Sequence, residues 1–308
     1  MITTVPIKNE KDIAVPDKTV LVLGYFDGVH KGHQKLFEVA TKASMKDYLP
    51  VVVMTFTESP KLALQPYHPD LMLHIVNHQE REQKLKWHGV EELFLLDFSS
   101  KFASLTAQEF FDTYIKALKP AIIVAGFDYT FGSDKKTADD LKDYFDGEII
   151  IVPPVEDEKG KISSTRIRQA ILDGDVREAG HLLGTPLPSR GMVVHGNARG
   201  RTIGYPTANL VLRDRTYMPA DGVYVVDIEV QRQKYRGMAS VGKNVTFDGE
   251  EARFEVNIFD FSDDIYGESV TVYWLDRVRD MVKFDSVEEL VDQLQKDEEI
   301  ARNWKDGE

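Results

Sequence analysis

The sequence predicts an α/β chain of two domains: a parallel sheet wound with helices on both sides, then a small antiparallel β-barrel with a docked terminal helix. Three observations predict it. The 308 residues are about twice a usual domain length. Apolar runs and helix-period stretches alternate as far as Leu183, and beyond Gly184 the texture changes to short strands separated by Gly and Asp turns. With 42% hydrophobic and 29% charged residues, the composition is that of a globular protein rather than a disordered one.

In the first part, residues 20–23, 51–56, 93–96, 122–125 and 149–152 read as buried strands, being short apolar runs bounded by turn residues. Between them, residues 106–118 place Phe110, Phe111, Tyr114, Ile115 and Leu118 on one helix face. Alternation of this kind predicts parallel pairing through helical crossovers. Residues 184–191 carry Pro186 and Pro188 and read as a linker, which divides the chain into domains 1–184 and 185–308. After it, residues 222–230, 235–241, 253–260 and 269–275 read as strands of a barrel. Val287, Leu290, Val291 and Leu294 fall at i, i+3, i+4 and i+7 and predict the closing helix.

Composition also excludes classes of function. The chain has no Cys, hence no disulfide framework, thiolate metal site or Cys nucleophile, which fits a reducing compartment. Residues 1–16 lack the apolar core of a signal peptide, and runs such as 121–125 are too short to span a bilayer. A soluble cytoplasmic protein without a membrane partner is expected. A net charge of −13 argues against a nucleic-acid partner, since wrapping a polyanion needs a basic surface that releases counterions. The acidic stretch around Asp297 to Glu299 reads as a solvated helix face.

The first motif follows the first strand: Leu23-Gly24-Tyr25-Phe26-Asp27-Gly28-Val29-His30-Lys31-Gly32-His33. In an open parallel sheet, ligands bind beyond the carboxyl ends of the strands, where a helix start offers unpaired N–H groups and a positive dipole end. His30 and His33, three apart on an opening turn, face one way and can donate to one phosphate, while Gly32 between them lets a ligand approach the backbone. A metal pair is the competing reading, but no obvious third ligand follows. The second motif, Lys161-Ile162-Ser163-Ser164-Thr165-Arg166-Ile167-Arg168, opens another helix. Its hydroxyls are N-caps in the first instance, and Arg168 one turn on adds charged donors suited to a polyphosphate.

These motifs, with Gly126-Phe127-Asp128-Tyr129-Thr130-Phe131-Gly132 between them, resemble the adenylyltransferase half of the bifunctional bacterial riboflavin kinase and FAD synthetase family. The resemblance continues through the second half, where residues 200–210, Gly200-Arg201-Thr202-Ile203-Gly204-Tyr205-Pro206-Thr207-Ala208-Asn209-Leu210, look like the family's kinase motif, followed by Gly222-Val223-Tyr224 and Phe254-Glu255-Val256. The His-x-Gly-His element alone marks only the nucleotidyltransferase superfamily; the Pro-Thr-Ala-Asn element is far more restrictive. The resemblance implies a Rossmann-like nucleotidyltransferase domain that joins FMN to ATP, releasing pyrophosphate, and a riboflavin kinase barrel that forms the FMN, with ATP as co-substrate and Mg²⁺ as cofactor.

Residue by residue, the resemblance implies that His30 and His33 hold the α-phosphate, in a loop with Gly24, Phe26, Asp27 and Gly32. Ser163, Ser164, Thr165 and Arg168 are implied to hold the pyrophosphate, and Asp128 to order the nucleotide or flavin. In the kinase half, Glu255 matches the general base and Thr207 and Asn209 match the positions that hold Mg²⁺ and phosphates. Gly196, Gly200 and Gly204, beside Arg201, are expected to let backbone close over phosphate, and Arg279 to contact the flavin product. From alternation alone, Glu255 would share an exposed strand face with Asn257. No P-loop run occurs. The chain departs from the family pattern at Tyr25, at His74-Ile75-Val76, at Lys135-Lys136-Thr137 and at Val245 after Asn244. Two rival classes remain at this stage: an adenylyltransferase for another phosphorylated vitamin, and a flavin binder without catalysis.

Overall fold

The computed structural model describes residues 2–7, 10–15, 17–196, 199–243 and 252–305; the departure at Val245, after Asn244, lies outside them. The chain separates into two compact units, Met1–Ser164 and Thr165–Glu308.

The first unit is built on a six-stranded parallel sheet of β1 (Thr3–Ile7), β2 (Thr19–Leu23), β3 (Val51–Phe56), β4 (Glu92–Leu96), β5 (Pro120–Gly126) and β6 (Glu148–Val152). Their order across the sheet is β1-β4-β3-β2-β5-β6. All five foreseen strands are present. Strand β1 was not foreseen, because residues 3–7 carry Pro6 and little apolar patterning; as an edge strand it tolerates the missing N–H. Alternate residues feed two cores. Val20, Val22, Val53, Leu93 and Val124 pack with Leu36, Phe37 and Ala40 of helix α1 (Lys31–Ser44) and with Leu85 of α2 (His78–Trp87). Leu21, Leu23, Val52, Phe94 and Ile123 pack with Phe110, Phe111, Ile115 and Leu118. Residues 106–118 thus bury the predicted face, although only Ala107–Phe110 is regular α-helix, started by a Thr106–Glu109 capping box, and Phe111–Ile115 widens to a π turn.

The order places β2 at the switch point. Chain leaving β2 crosses to β3 on one side, and β5 lies on the other, so the turn after Leu23 opens into the crevice where such sheets bind ligands.

The second unit begins with α3 (Ser164–Leu172, whose first residue belongs to the first unit) and α4 (Val176–Leu183). A closed barrel follows, β7 (Leu187–Val194), β8 (Ala208–Leu212), β9 (Gly222–Val230), β10 (Gln233–Lys243), β11 (Ala252–Ile258) and β12 (Ser269–Arg279), in the order β7-β8-β11-β10-β9-β12. It ends in α5 (Val287–Asn303).

Two sequence expectations are corrected here. Residues 184–191 are not a free linker: Leu187–Val194 is a barrel strand, and Pro188 is tolerated because β7 pairs only with β12 there and meets β8 from Gly191 onward. The sequence boundary lies at 184/185, and by compactness the units meet at 164/165, since α3 and α4 are sewn to the barrel. Ala220 N donates to Ile171 O, and Arg277 Nη1 to Asp173 O, while Arg177 pairs with Asp276. Finally, Asp297 is not solvated. It is fully buried and accepts from Nε and Nη2 of Arg279 at 2.7–3.0 Å and from Gln293, the pairing that a buried carboxylate requires.

Candidate active sites

In the first unit, the turn after β2 is held in sparsely populated backbone conformations, with positive φ at Phe26 (57°), Gly28 (85°) and Val29 (48°). Non-glycine residues adopt these only where the surroundings enforce them. Two bonds from Asp27 do much of the enforcing. Its Oδ1 accepts from Ile75 N at 3.0 Å, and its carbonyl accepts from Ser164 Oγ at 3.0 Å. Asp27 and Ser164 therefore shape the loop from within. The Phe26 ring, 2% exposed, is a floor: it meets the His33 ring edge-on at 5.2 Å and Phe37 at 5.0 Å. Gly24 lies against it, since a Cβ there would come within 2.6 Å of that ring.

The two histidines are brought together as expected. His30 is the N-cap of α1, and its Nδ1 accepts from His33 N at 3.3 Å. The rings stack at 3.6 Å, 19° apart. Gly32 gives this stack room, because a Cβ would stand 3.0 Å from the His30 ring; its role is room for the imidazole as well as access to the backbone. Burial holds the His30 pKa down to about 4 against the attraction of Asp27, and burial together with His30 holds His33 well below its ordinary value. Both rings are neutral near pH 7. With Nδ1 of His30 accepting, its proton sits on Nε2. Nδ1 of His33 is buried without a hydrogen-bond partner among the described residues, a cost that native structures carry mainly at functional sites.

This arrangement makes stability depend on pH. Because the folded pKa of His30 lies below 6.5, the unfolded chain binds more protons between pH 6.5 and about 4, and stability falls as pH falls through that window. Full titration corresponds to on the order of 3 kcal/mol. His30→Asn keeps an N-cap but removes the titration. Its thermal midpoint should therefore fall less than that of wild type between pH 6.5 and 4.5, measured by circular dichroism; equal losses would contradict the assignment.

Asp128 follows β5 and is bound by Lys161 Nζ at 2.6 Å, and the same ammonium lies 4.4 Å above the exposed Phe127 ring. Lys161 thus joins Asp128 at the crevice, a partner that sequence spacing could not supply across 33 residues. Ser163 is half-buried between Lys161 and the start of α3. Thr165 and Arg168 lie on α3 in the second unit, exposed and half-buried respectively.

Sequence reasoning missed a further group in the first unit. Tyr25 Oη lies 3.2 Å from Nδ1 of the buried His74, and His74 Nε2 lies 3.2 Å from Glu58 Oε2. Arg81, 3% exposed, donates to Nδ1 of His78 and to the Tyr25 carbonyl. Tyr25 and His74 are both departures from the family pattern, and that joint departure was the available signal.

In the second unit, β8 and β11 pair so that Asn209 lies opposite Glu255. Thr207 Oγ1 donates to Glu255 Oε2 at 3.1 Å. The face shared by Glu255 and Asn257 is covered rather than exposed: Asn257 is 8% exposed and donates Nδ2–H to the Pro206 carbonyl at 2.6 Å. The other face, with Phe254 and Val256, packs inward, Phe254 stacking on Trp274 at 5.3 Å. Gly196 lies under the Asn209 amide, which a Cβ would meet at 2.3 Å. Gly200 accepts from Tyr205 N at 2.8 Å and has no room for a Cβ, which would stand 2.1 Å from the Tyr205 carbonyl. Gly204 has φ 85°, so only a residue at ease in the left-handed region closes this turn. These contacts fold residues 200–207 into a loop that delivers Thr207 to Glu255. Arg201 donates to Tyr266 Oη, whose ring stacks on His195 at 3.8 Å. Arg279 is engaged by Asp297, its Nη1 also donating to the Asp280 carbonyl.

Comparison with known proteins gives matches over both units. Residues 12–166 match the family model described as FAD synthetase, and residues 183–305 the one described as riboflavin kinase. A bifunctional riboflavin kinase/FMN adenylyltransferase of Listeria monocytogenes is 39% identical, covering 92% of this chain and 91% of its own. One of Bacillus subtilis is 38% identical, with 92% of each chain covered. A crystal structure described as a macrolide-efflux protein from Streptococcus pneumoniae is 81% identical, covers 99% of this chain and all of its own, and superposes with a TM-score of 0.95. Among the described residues, no helix is long and apolar enough to cross a membrane.

Proposed function

The chain belongs to the bifunctional riboflavin kinase/FMN adenylyltransferase family, and from that premise we infer how its own residues carry the two reactions. It is an enzyme with both activities, an FAD synthetase unit followed by a riboflavin kinase barrel. The substrates are riboflavin, FMN and ATP, and the place of action is the cytoplasm. The efflux description is said of the pneumococcal protein; the two matched enzyme models and the Thr207–Glu255 contact carry the present reading.

In the barrel, the 5′-hydroxyl of riboflavin attacks the γ-phosphorus of ATP. The new P–O bond forms as the bond to ADP breaks, and the hydroxyl proton passes to Glu255. A carboxylate in reach of the hydroxyl suits this task, because an alcohol is a poor nucleophile until its proton is taken. The single observation that carries the assignment is the hydrogen bond from Thr207 Oγ1 to Glu255 Oε2 at 3.1 Å, which orients the base beside the phosphate-binding loop. The donor set suits Mg²⁺: Thr207 points its proton at Glu255 and keeps its oxygen lone pairs for a cation, and the Asn209 amide supplies a second hard oxygen. Thr207 and Asn209 would hold the ion, which supplies charge neutralisation to the transferring phosphates.

In the first unit, an FMN phosphate oxygen attacks the α-phosphorus of ATP and pyrophosphate leaves, with no covalent enzyme intermediate. His30 donates from Nε2 to the α-phosphate, and His33, stacked on it, adds a second neutral imidazole there. Neutral rings act as fixed donors and gain most where charge grows in the transition state. Ser163 and Ser164 hold the departing pyrophosphate, and the Lys161–Asp128 pair orders the nucleotide or flavin side.

Metal removal tests the kinase half. Kinase turnover should fall to background under excess EDTA and return when Mg²⁺ is restored, followed by chromatography of FMN. Persistence without metal would remove Thr207 and Asn209 from ion binding.

A further inference from the structure

We propose that Glu58, His74 and His78 form a binding site for one divalent cation of the zinc class, beside the loop that carries Tyr25 and Asp27 in the first unit. The three side chains come from different segments. Glu58 lies two residues beyond β3, His74 precedes α2, and His78 is its first residue. One ligand atom from each lies within 4.8 Å of the other two.

The His74–Glu58 edge already has the required spacing. Zinc bonds of about 2.0–2.1 Å in a tetrahedron put neighbouring ligands about 3.3 Å apart, and Nε2 and Oε2 stand at 3.2 Å. His74 is buried, and its other nitrogen is held by Tyr25 Oη at 3.2 Å. That outer hydrogen bond fixes the ring and leaves Nε2 turned to the carboxylate, as in metal sites whose ligands are oriented from behind. His78 is exposed, with its ring 4.9 Å from that of His74, so closing the third ligand costs a side-chain rotation rather than a backbone shift. Two imidazoles and a carboxylate favour a borderline ion over Mg²⁺ and leave a position for water.

Arg81 sets the strength of this site. Because it donates to Nδ1 of His78 at 3.2 Å, that nitrogen is the unprotonated one of the neutral ring and the one able to ligate. Binding exchanges the Arg81 N–H for the cation at that atom, and Arg81 retains the Tyr25 carbonyl. The neighbouring positive charge makes the site weaker than a closed structural zinc site, so the ion is exchangeable.

The test uses the full chain, stripped with chelator and free of nucleotide, titrated with Co²⁺ as a spectroscopic stand-in for zinc. One Co²⁺ per chain should bind with visible d–d absorption. His78→Ala and Glu58→Gln should each weaken binding at least about tenfold. His33→Ala, which breaks the other close pair of imidazoles, should leave the cobalt spectrum unchanged. Both ligand variants alter side chains that reach solvent, and circular dichroism checks their folding; if one fails to fold, the other decides. No retained Co²⁺, equal affinity in the ligand variants, or loss of the spectrum in His33→Ala would each overturn the proposal.

Discussion

Replacing Glu255 by Ala should cut FMN formation from riboflavin by about 10²–10⁴-fold, while supplied FMN is still converted into FAD at the wild-type rate. The expectation rests on where the carboxylate is held. Glu255 sits on β11 opposite Asn209, accepts a hydrogen bond from Thr207, and shares its strand face with Asn257, which ties down the Pro206 carbonyl. Loss of the carboxylate removes a proton acceptor and one anchor of the loop, both within the second unit. Glu255→Gln separates the two effects, because the amide keeps the shape and can still accept from Thr207 but is no base. Initial rates of the two half-reactions, each followed by chromatography of the flavins, give the answer. Full kinase activity in the glutamine variant would reduce Glu255 to a positioning role.

The complementary expectation concerns His33. His33→Ala should lower FAD formation by about 10²–10³-fold, the usual loss when one preorganised donor to a developing oxyanion is removed, and FMN should accumulate from riboflavin. His33 is stacked on His30, rests on the buried Phe26 ring, and carries a buried Nδ1 with no partner among the described residues. An orphaned buried nitrogen calls for an explanation, and a role in the site supplies one. Thermal midpoints distinguish the cases: a merely structural role predicts lower stability with activity retained below the new midpoint.

Much of this was legible in the sequence because the physics is local. Five short apolar runs bounded by turn residues read as buried strands, and the Gly-containing turn after the first of them falls where a parallel sheet opens its crevice. The pairing of His30 with His33 follows from helical spacing. What stayed hidden depends on contacts between distant residues. Pro188 looked like a linker residue because the half-paired start of β7 cannot be seen without β8 and β12. Asp297 looked solvated because Arg279, 18 residues away in sequence, is its partner. The strand face of Glu255 looked exposed because the loop covering it comes from Pro206. The Tyr25, Glu58, His74, His78 and Arg81 group, drawn from four separate segments, left only two unusual residues as a trace.

The central claim is that one chain holds two independent phosphate-transfer sites. It is tested most directly by one time course on riboflavin, ATP and Mg²⁺, run for wild type, Glu255→Ala and His33→Ala and resolved by chromatography. The account predicts FMN followed by FAD from wild type, FMN alone from His33→Ala, and neither from Glu255→Ala until FMN is added, when FAD appears. Loss of both products in both variants, with FMN supplied, would contradict it.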